Sequence, residues 1–138
     1  MKARVRTVDG TWLVDLETEE LLEDDDGDVA PRPSVDVPLP RVVAADACGA
    51  TVVAVLDRRP PIAVSYDAGR TWRESGGGLP AGTAIAIDED NPDRILYAGR
   101  NRLFLSEDGG RFWHALVLEL PEIQAVVFAG KEGSDRMV

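Results

Sequence analysis

Ser65-Tyr66-Asp67-Ala68-Gly69-Arg70-Thr71-Trp72 and Ser106-Glu107-Asp108-Gly109-Gly110-Arg111-Phe112-Trp113 are the two stretches that decide the fold. Ser, Asp, Gly, Arg and Trp recur at the same offsets, 41 residues apart. A period of that length matches one four-stranded blade of a propeller. The octet also has the chemistry of a tight hairpin. A short Asp side chain accepts hydrogen bonds from N–H groups of its own turn. Gly69 and Gly110 take positive φ without steric cost. Ser65 and Ser106 add a hydroxyl, and Trp72 and Trp113 are expected to pack beneath the turn. Ser65, Asp67, Gly69, Trp72, Ser106, Asp108, Gly110 and Trp113 are therefore assigned a structural role.

Strand signals surround both octets. Arg41–Ala47, Thr51–Asp57 and Pro61–Tyr66 are short β-branched runs, and Thr71–Glu74 supplies a fourth. After the loop Ser75–Gly82, the pattern restarts at Thr83–Ile87, Arg94–Gly99, Arg102–Ser106 and Arg111–Val117. Residues 41–74 and 83–117 thus read as two complete blades. Arg94–Gly99 is apolar at both alternating sets of positions, Ile95 and Tyr97 against Leu96 and Ala98. Two buried faces without crossover helices imply a sheet packed between two others. Val14–Glu23 is the best helix candidate, but it lacks a strong apolar stripe.

A third blade is expected from the two ends of the chain, 1–16 plus 122–138. Ile123–Gly130 resembles a first strand, with Arg136-Met137-Val138 opening a second. Ala3–Val8 and Thr11–Leu16 flank Asp9-Gly10, a two-residue hairpin signal. Thr7-Val8-Asp9-Gly10-Thr11-Trp12 reads like a shortened copy of the octet, with Trp12 in the Trp position. On this reading the hairpin supplies the third and fourth strands of the shared blade. Residues 17–40, acidic and then Pro-rich, form a surface connection. The expected fold is all-β and propeller-like, with about three four-stranded antiparallel blades. Three are too few for a closed ring. Open blade faces would expose apolar patches, so a homo-oligomer, most simply a two-fold dimer with six blades, is expected.

The octets resemble the Asp-box (BNR) family, whose motif S-x-D-x-G-x-T-W occurs in sialidases and sortilin-type receptors, generally in propellers. Asn91–Gly99 also looks like the second strand of such blades. The resemblance raises glycoside hydrolysis, which sialidases perform with an arginine cluster, a tyrosine nucleophile and acidic residues. Tyr66 lies inside an octet and Tyr97 inside a strand; neither matches a catalytic motif, and no catalytic residue is carried over.

Composition narrows the remaining classes. The net charge is −10, and residues 1–40 hold 11 acids against 4 bases. A surface of that sign repels phosphate backbones, so a nucleic-acid partner is not expected. No stretch approaches 18 apolar residues and no secretory signal follows Met1, so a soluble cytoplasmic chain with no membrane partner is expected. Cys48 is the one cysteine and His114 the one histidine. They read as a turn residue and a strand-edge residue, not a nucleophilic pair. No metal or cofactor is expected. Asp24, Asp26 and Asp28 suggest calcium, but Val29 and Val35 stand where an EF-hand loop needs Gly and Glu. Gly76-Gly77-Gly78 lacks the Lys-Ser/Thr ending of a phosphate loop. The expected function is a non-catalytic binding or scaffolding module. The alternative is a carbohydrate-active protein, either a lectin-like binder or a glycosidase formed on oligomerisation. The ligand class is protein or carbohydrate.

Overall fold

Short apolar runs broken by Gly, Pro and Asp turns leave little room for helix, and none occurs among the described residues. The computed structural model describes residues 1–24, 29 and 35–129. Its strands are β1 (Lys2–Thr7), β2 (Gly10–Asp15), β3 (Glu20–Asp24), β4 (Val42–Cys48), β5 (Thr51–Leu56) and β6 (Ile62–Ser65). They continue as β7 (Arg73–Ser75), β8 (Ala84–Ile87), β9 (Ile95–Ala98), β10 (Leu103–Ser106), β11 (His114–Ala115) and β12 (Ile123–Ala129). These form three four-stranded antiparallel sheets, ordered β4-β5-β6-β7, β8-β9-β10-β11 and β12-β1-β2-β3. The architecture is all-β and blade-like, and the described residues form no closed ring.

The middle sheet is packed on both faces, as the double apolar pattern of its second strand requires. Ile95 and Tyr97 of β9 join Val53, Val55, Ile62 and Val64 of the preceding blade. Leu96 and Ala98 face the other way, into a cluster with Ala3, Val5, Val14 and Ile123. Each large aliphatic side chain buried this way contributes roughly 1.5–3 kcal/mol. The first strands β4, β8 and β12 lie beside one another, β8 between the other two. Asp46 fastens that inner seam. It is 4% exposed, and its Oδ2 accepts the N–H of Ile87 on the next blade at 2.8 Å.

The shared blade differs from its expected construction. β1 pairs directly with β12, Lys2 opposite Ala129 through Thr7 opposite Ile123. The N-terminal hairpin therefore supplies the second and third strands, not the third and fourth. β3 is the fourth strand and occupies 20–24 of the stretch read as a connection. The local cause is Asp15, whose Oδ1 accepts the N–H groups of Glu17 and Thr18 at 2.9 and 3.1 Å. This Asx turn reverses the chain so that Leu21 pairs with Val14. The same turn and strands replace the helix candidate at Val14–Glu23.

The β1–β2 turn is Val8-Asp9, with Thr7 paired to Gly10. Its side-chain bonds come from Thr7, whose hydroxyl donates to Gly10 O at 2.9 Å and accepts from Asp9 N at 3.1 Å. It is thus no shortened octet. The indole N–H of Trp12 is buried without a partner in the described structure. The second-strand reading of Arg136–Val138 and the Asp26 and Asp28 positions lie outside the described residues.

The two lateral faces of the three-blade arc are unlike each other. On the β4–β7 blade, Ala54, Leu56 and Ala63 are buried beneath Val37, Leu39 and Trp72. Val35, Val37 and Leu39 are half-buried while Asp36, Pro38 and Pro40 are exposed, so 35–40 lies across this face as an extended strap. On the shared blade, Ala3, Val5 and Thr7 point inward. The alternate positions Lys2, Arg4 and Arg6 point to the outer face. Neither lateral face is therefore the bare apolar sheet that three isolated blades would present.

Candidate functional site

Each octet spans the hairpin between the third and fourth strands of a complete blade. In the first, Ser65 Oγ donates to Asp67 Oδ1 at 2.8 Å and accepts the N–H of Gly69 at 2.7 Å. Thr71 donates its N–H to Asp67 Oδ1 at 2.9 Å and its hydroxyl to Oδ2 at 2.7 Å. The Trp72 indole N–H donates to Gly69 O at 3.1 Å. Gly69 has φ 89°, which glycine adopts without strain. The Thr71 hydroxyl and backbone, with Ser65, hold the Asp67 carboxyl well below the usual carboxylate value, at about 2.

The second octet repeats this frame with one change. Ser106 Oγ, Arg111 N and Phe112 N all donate to Asp108 Oδ1, at 2.8, 3.1 and 3.0 Å. Ser106 also accepts the N–H of Gly110 at 2.9 Å. The backbone N–H of Phe112 is the main reason that the Asp108 carboxyl is lowered. Phe112 stands where the first octet has Thr71, so Oδ2 of Asp108 lacks the hydroxyl donor that Thr71 gives Asp67. The Phe112 ring is 77% exposed. It borders a cleft of about 330 Å³ with Glu107, Asp108, Trp113 and His114.

The two turns also clasp each other across the blade boundary. Tyr66 donates its hydroxyl to Gly109 O at 2.6 Å, and the Arg111 guanidinium lies 5.5 Å from the Tyr66 ring centroid. Trp113 donates its indole N–H to Ser75 Oγ at 3.0 Å, and Ser75 donates to Gly110 O. Trp113 therefore anchors to the neighbouring blade, whereas Trp72 bonds within its own turn. Trp113 also packs edge-on to Tyr97, with centroids 6.0 Å apart. Beside this clasp lies a second cleft of about 440 Å³, bordered by Tyr66, Arg73, Gly76, Gly77, Gly110 and Arg111.

The other chemistry-bearing residues are dispersed. His114 is exposed on edge strand β11, and its Nε2 lies 2.7 Å from Glu19 Oε2. Glu19 also accepts the N–H of Val117 at 2.7 Å, and it has φ 60°. The His114 contact and this N–H lower the Glu19 carboxyl. Cys48 ends β4, an inner strand, whereas β11 is the outer strand of the next blade, so the two are not assembled as a pair. Tyr97 is fully buried and donates to Pro80 O at 2.7 Å; burial pushes its hydroxyl up to about 12. Among the described residues, no group of three His, Cys, Asp or Glu side chains is placed to hold a metal ion. Among the same residues no helix is long and apolar enough to cross a membrane.

Sequence reasoning did not single out Asp46 or Arg73; it weighed Tyr66 only as a catalytic residue and Arg111 only as part of the repeat. Asp46 carried a signal, since an acid interrupts the apolar run Arg41–Ala47. The Tyr66–Arg111 contact did not, because it depends on how neighbouring blades meet. Chemically, the octet carboxylates are stabilised as anions. A general acid at neutral pH needs the opposite shift. No family model matches the chain, and no curated protein matches it.

Proposed function

We propose that this chain is a non-catalytic binding module whose ligand surface is the side of the blades carrying the two octet turns. One observation supports the reading most. The turns engage Asp67 and Asp108 in backbone bonds, and in doing so they fix Tyr66, Arg111 and Phe112 beside two open clefts. Rigid turns that hold side chains at a cleft rim serve recognition, because little ordering entropy is left to lose on binding. The test is a turnover screen over glycoside and ester substrates alongside a binding screen by NMR. Binding with chemical shift changes confined to residues 64–77 and 105–114, and no turnover, is the expected result. Robust turnover abolished by a point substitution in either cleft would overturn it.

A carbohydrate-binding reading is supported by the smaller cleft. There an exposed Phe112 ring stands beside the carboxylates of Asp108 and Glu107. An apolar ring face next to hydrogen-bond acceptors suits a sugar's C–H face and hydroxyls. A glycan array should then show hits that Phe112→Ala removes; an empty array counts against this reading. We also propose that the chain self-associates, with a second copy extending the blade arc towards a six-bladed ring.

A further inference from the structure

We infer that the cleft between the first two blades binds an oxyanion, a carboxylate or phosphate group of the module's ligand; this rests on the binding-module reading above. The register of β6 and β7 sets Arg73 opposite Val64, Glu74 opposite Ala63 and Ser75 opposite Ile62. Val64 and Ile62 belong to the core shared with the middle blade, whereas Ala63 faces the strap. Side chains alternate along a strand. Arg73 therefore projects towards the inter-blade cleft, whereas Glu74, which also borders the cleft from its place on β7, turns its side chain to the opposite face. There Glu74 Oε2 lies 3.0 Å from Arg58 Nη1.

Arg111 reaches the same cleft from the other blade. Its guanidinium lies against the Tyr66 ring, and one N–H donates to Asp108 O at 3.0 Å. That bond uses one of five donors and fixes the group's orientation. The Tyr66 platform is itself held by Gly109 O. The nearby carboxylates are engaged elsewhere. Asp108 accepts its own turn's N–H groups, and Glu107 lies 3.9 Å from Arg94. Two guanidinium groups thus border one cleft in a chain of net charge −10. The arginine fork matches the paired oxygens of a carboxylate or phosphate, and an oxyanion would offset the repulsion between the two cations. Gly76 and Gly77 also border the cleft, and neither brings a side chain into it.

The probes are inorganic phosphate and succinate, titrated into 15N-labelled protein at ionic strength held constant with chloride. Saturable shifts are expected at the Gly76, Gly77 and Gly110 amides and at the Trp113 indole N–H, whose acceptor Ser75 borders the cleft. Arg73→Ala, at an exposed position, should weaken binding at least about tenfold. Arg73→Lys should recover part of the loss, and Arg100→Ala, a charge change at an exposed position outside the cleft, should leave binding unchanged. The tighter of the two probes identifies whether the ligand group is phosphate or carboxylate. Absent or non-saturating shifts at these signals, or saturable shifts equal in Arg73→Ala and wild type, would overturn the inference. In that outcome the binding-module reading stands as long as the turnover screen is negative. Turnover accompanied by intact oxyanion binding would overturn the module reading and leave this site in place.

Discussion

Asp67 and Asp108 occupy the same place in two turns, yet their oxygens are used differently. Both oxygens of Asp67 accept bonds, while the three bonds of Asp108 converge on Oδ1. The Asp67 carboxyl titrates at about 2, below its unfolded value near 3.9. A lowered folded-state value means that its stabilising contribution is full above pH 4 and is lost as pH falls through 2. Asp15, Glu19 and Asp108 shift in the same direction. Urea unfolding followed from pH 5 to pH 2 should show falling stability, and Asp67→Asn should flatten that slope while lowering stability at pH 7. An unchanged slope would separate the turn carboxylate from acid sensitivity. The second prediction concerns Phe112→Thr, which returns a hydroxyl to Asp108 Oδ2. It should raise the thermal midpoint, by an amount set by one surface hydrogen bond, on the order of 0.5 kcal/mol.

Among the elements, β4, β8 and β12 line the inner seam, and β7, β11 and β3 the outer edges. Asp46 is a buried polar fastener of the seam, joining β4 to β8. Asp46→Ala would leave the buried Ile87 N–H without its acceptor and should cost about 1–3 kcal/mol in chemical denaturation. Asp46→Asn keeps an acceptor oxygen and should cost less. Equal losses for both would assign the effect to charge, not to the bond.

How far the elements were legible follows from the range of the forces that set them. The strands of 41–117 were readable because alternation and turn residues act locally, and Ile95, Leu96, Tyr97 and Ala98 announced two buried faces. β3 was not, since Glu19, Glu20 and Glu23 look like solvated loop; an Asx turn at Asp15 and pairing with Val14 override composition. The octet turns were readable down to the Asp and Ser roles. The inter-blade cleft was not, because Tyr66 and Arg111 are 45 residues apart and meet only when two blades stack.

For the whole molecule, the arc presents two different lateral faces, one strapped and one basic. In a two-fold ring the Lys2 and Arg6 side of one copy would meet the strap side of the other, where Asp36 and Glu74 are exposed. Self-association driven this way should weaken with salt, since exposed charge pairs are screened within about 10 Å at 0.1 M. Sedimentation velocity at rising protein concentration should show a dimer at low ionic strength that Lys2→Glu with Arg6→Glu dissolves. Monomer at every concentration and salt level would remove the ring proposal and leave the binding clefts untouched.

The pairing of β1 with β12 also governs time. Lys2 must wait for Ala129 before the third sheet exists. On a ribosome, β1, β2 and β3 emerge first, with Ala3, Val5 and Val14 lacking the β8–β11 surface that later covers them. Closing so long a loop is entropically slow, so the two intact hairpin blades should become protected from hydrogen exchange before the shared one. During that interval the strands made earliest are the last to be sheltered. The acidic run beginning at Glu17 and the charges of Lys2, Arg4 and Arg6 keep them soluble while they wait.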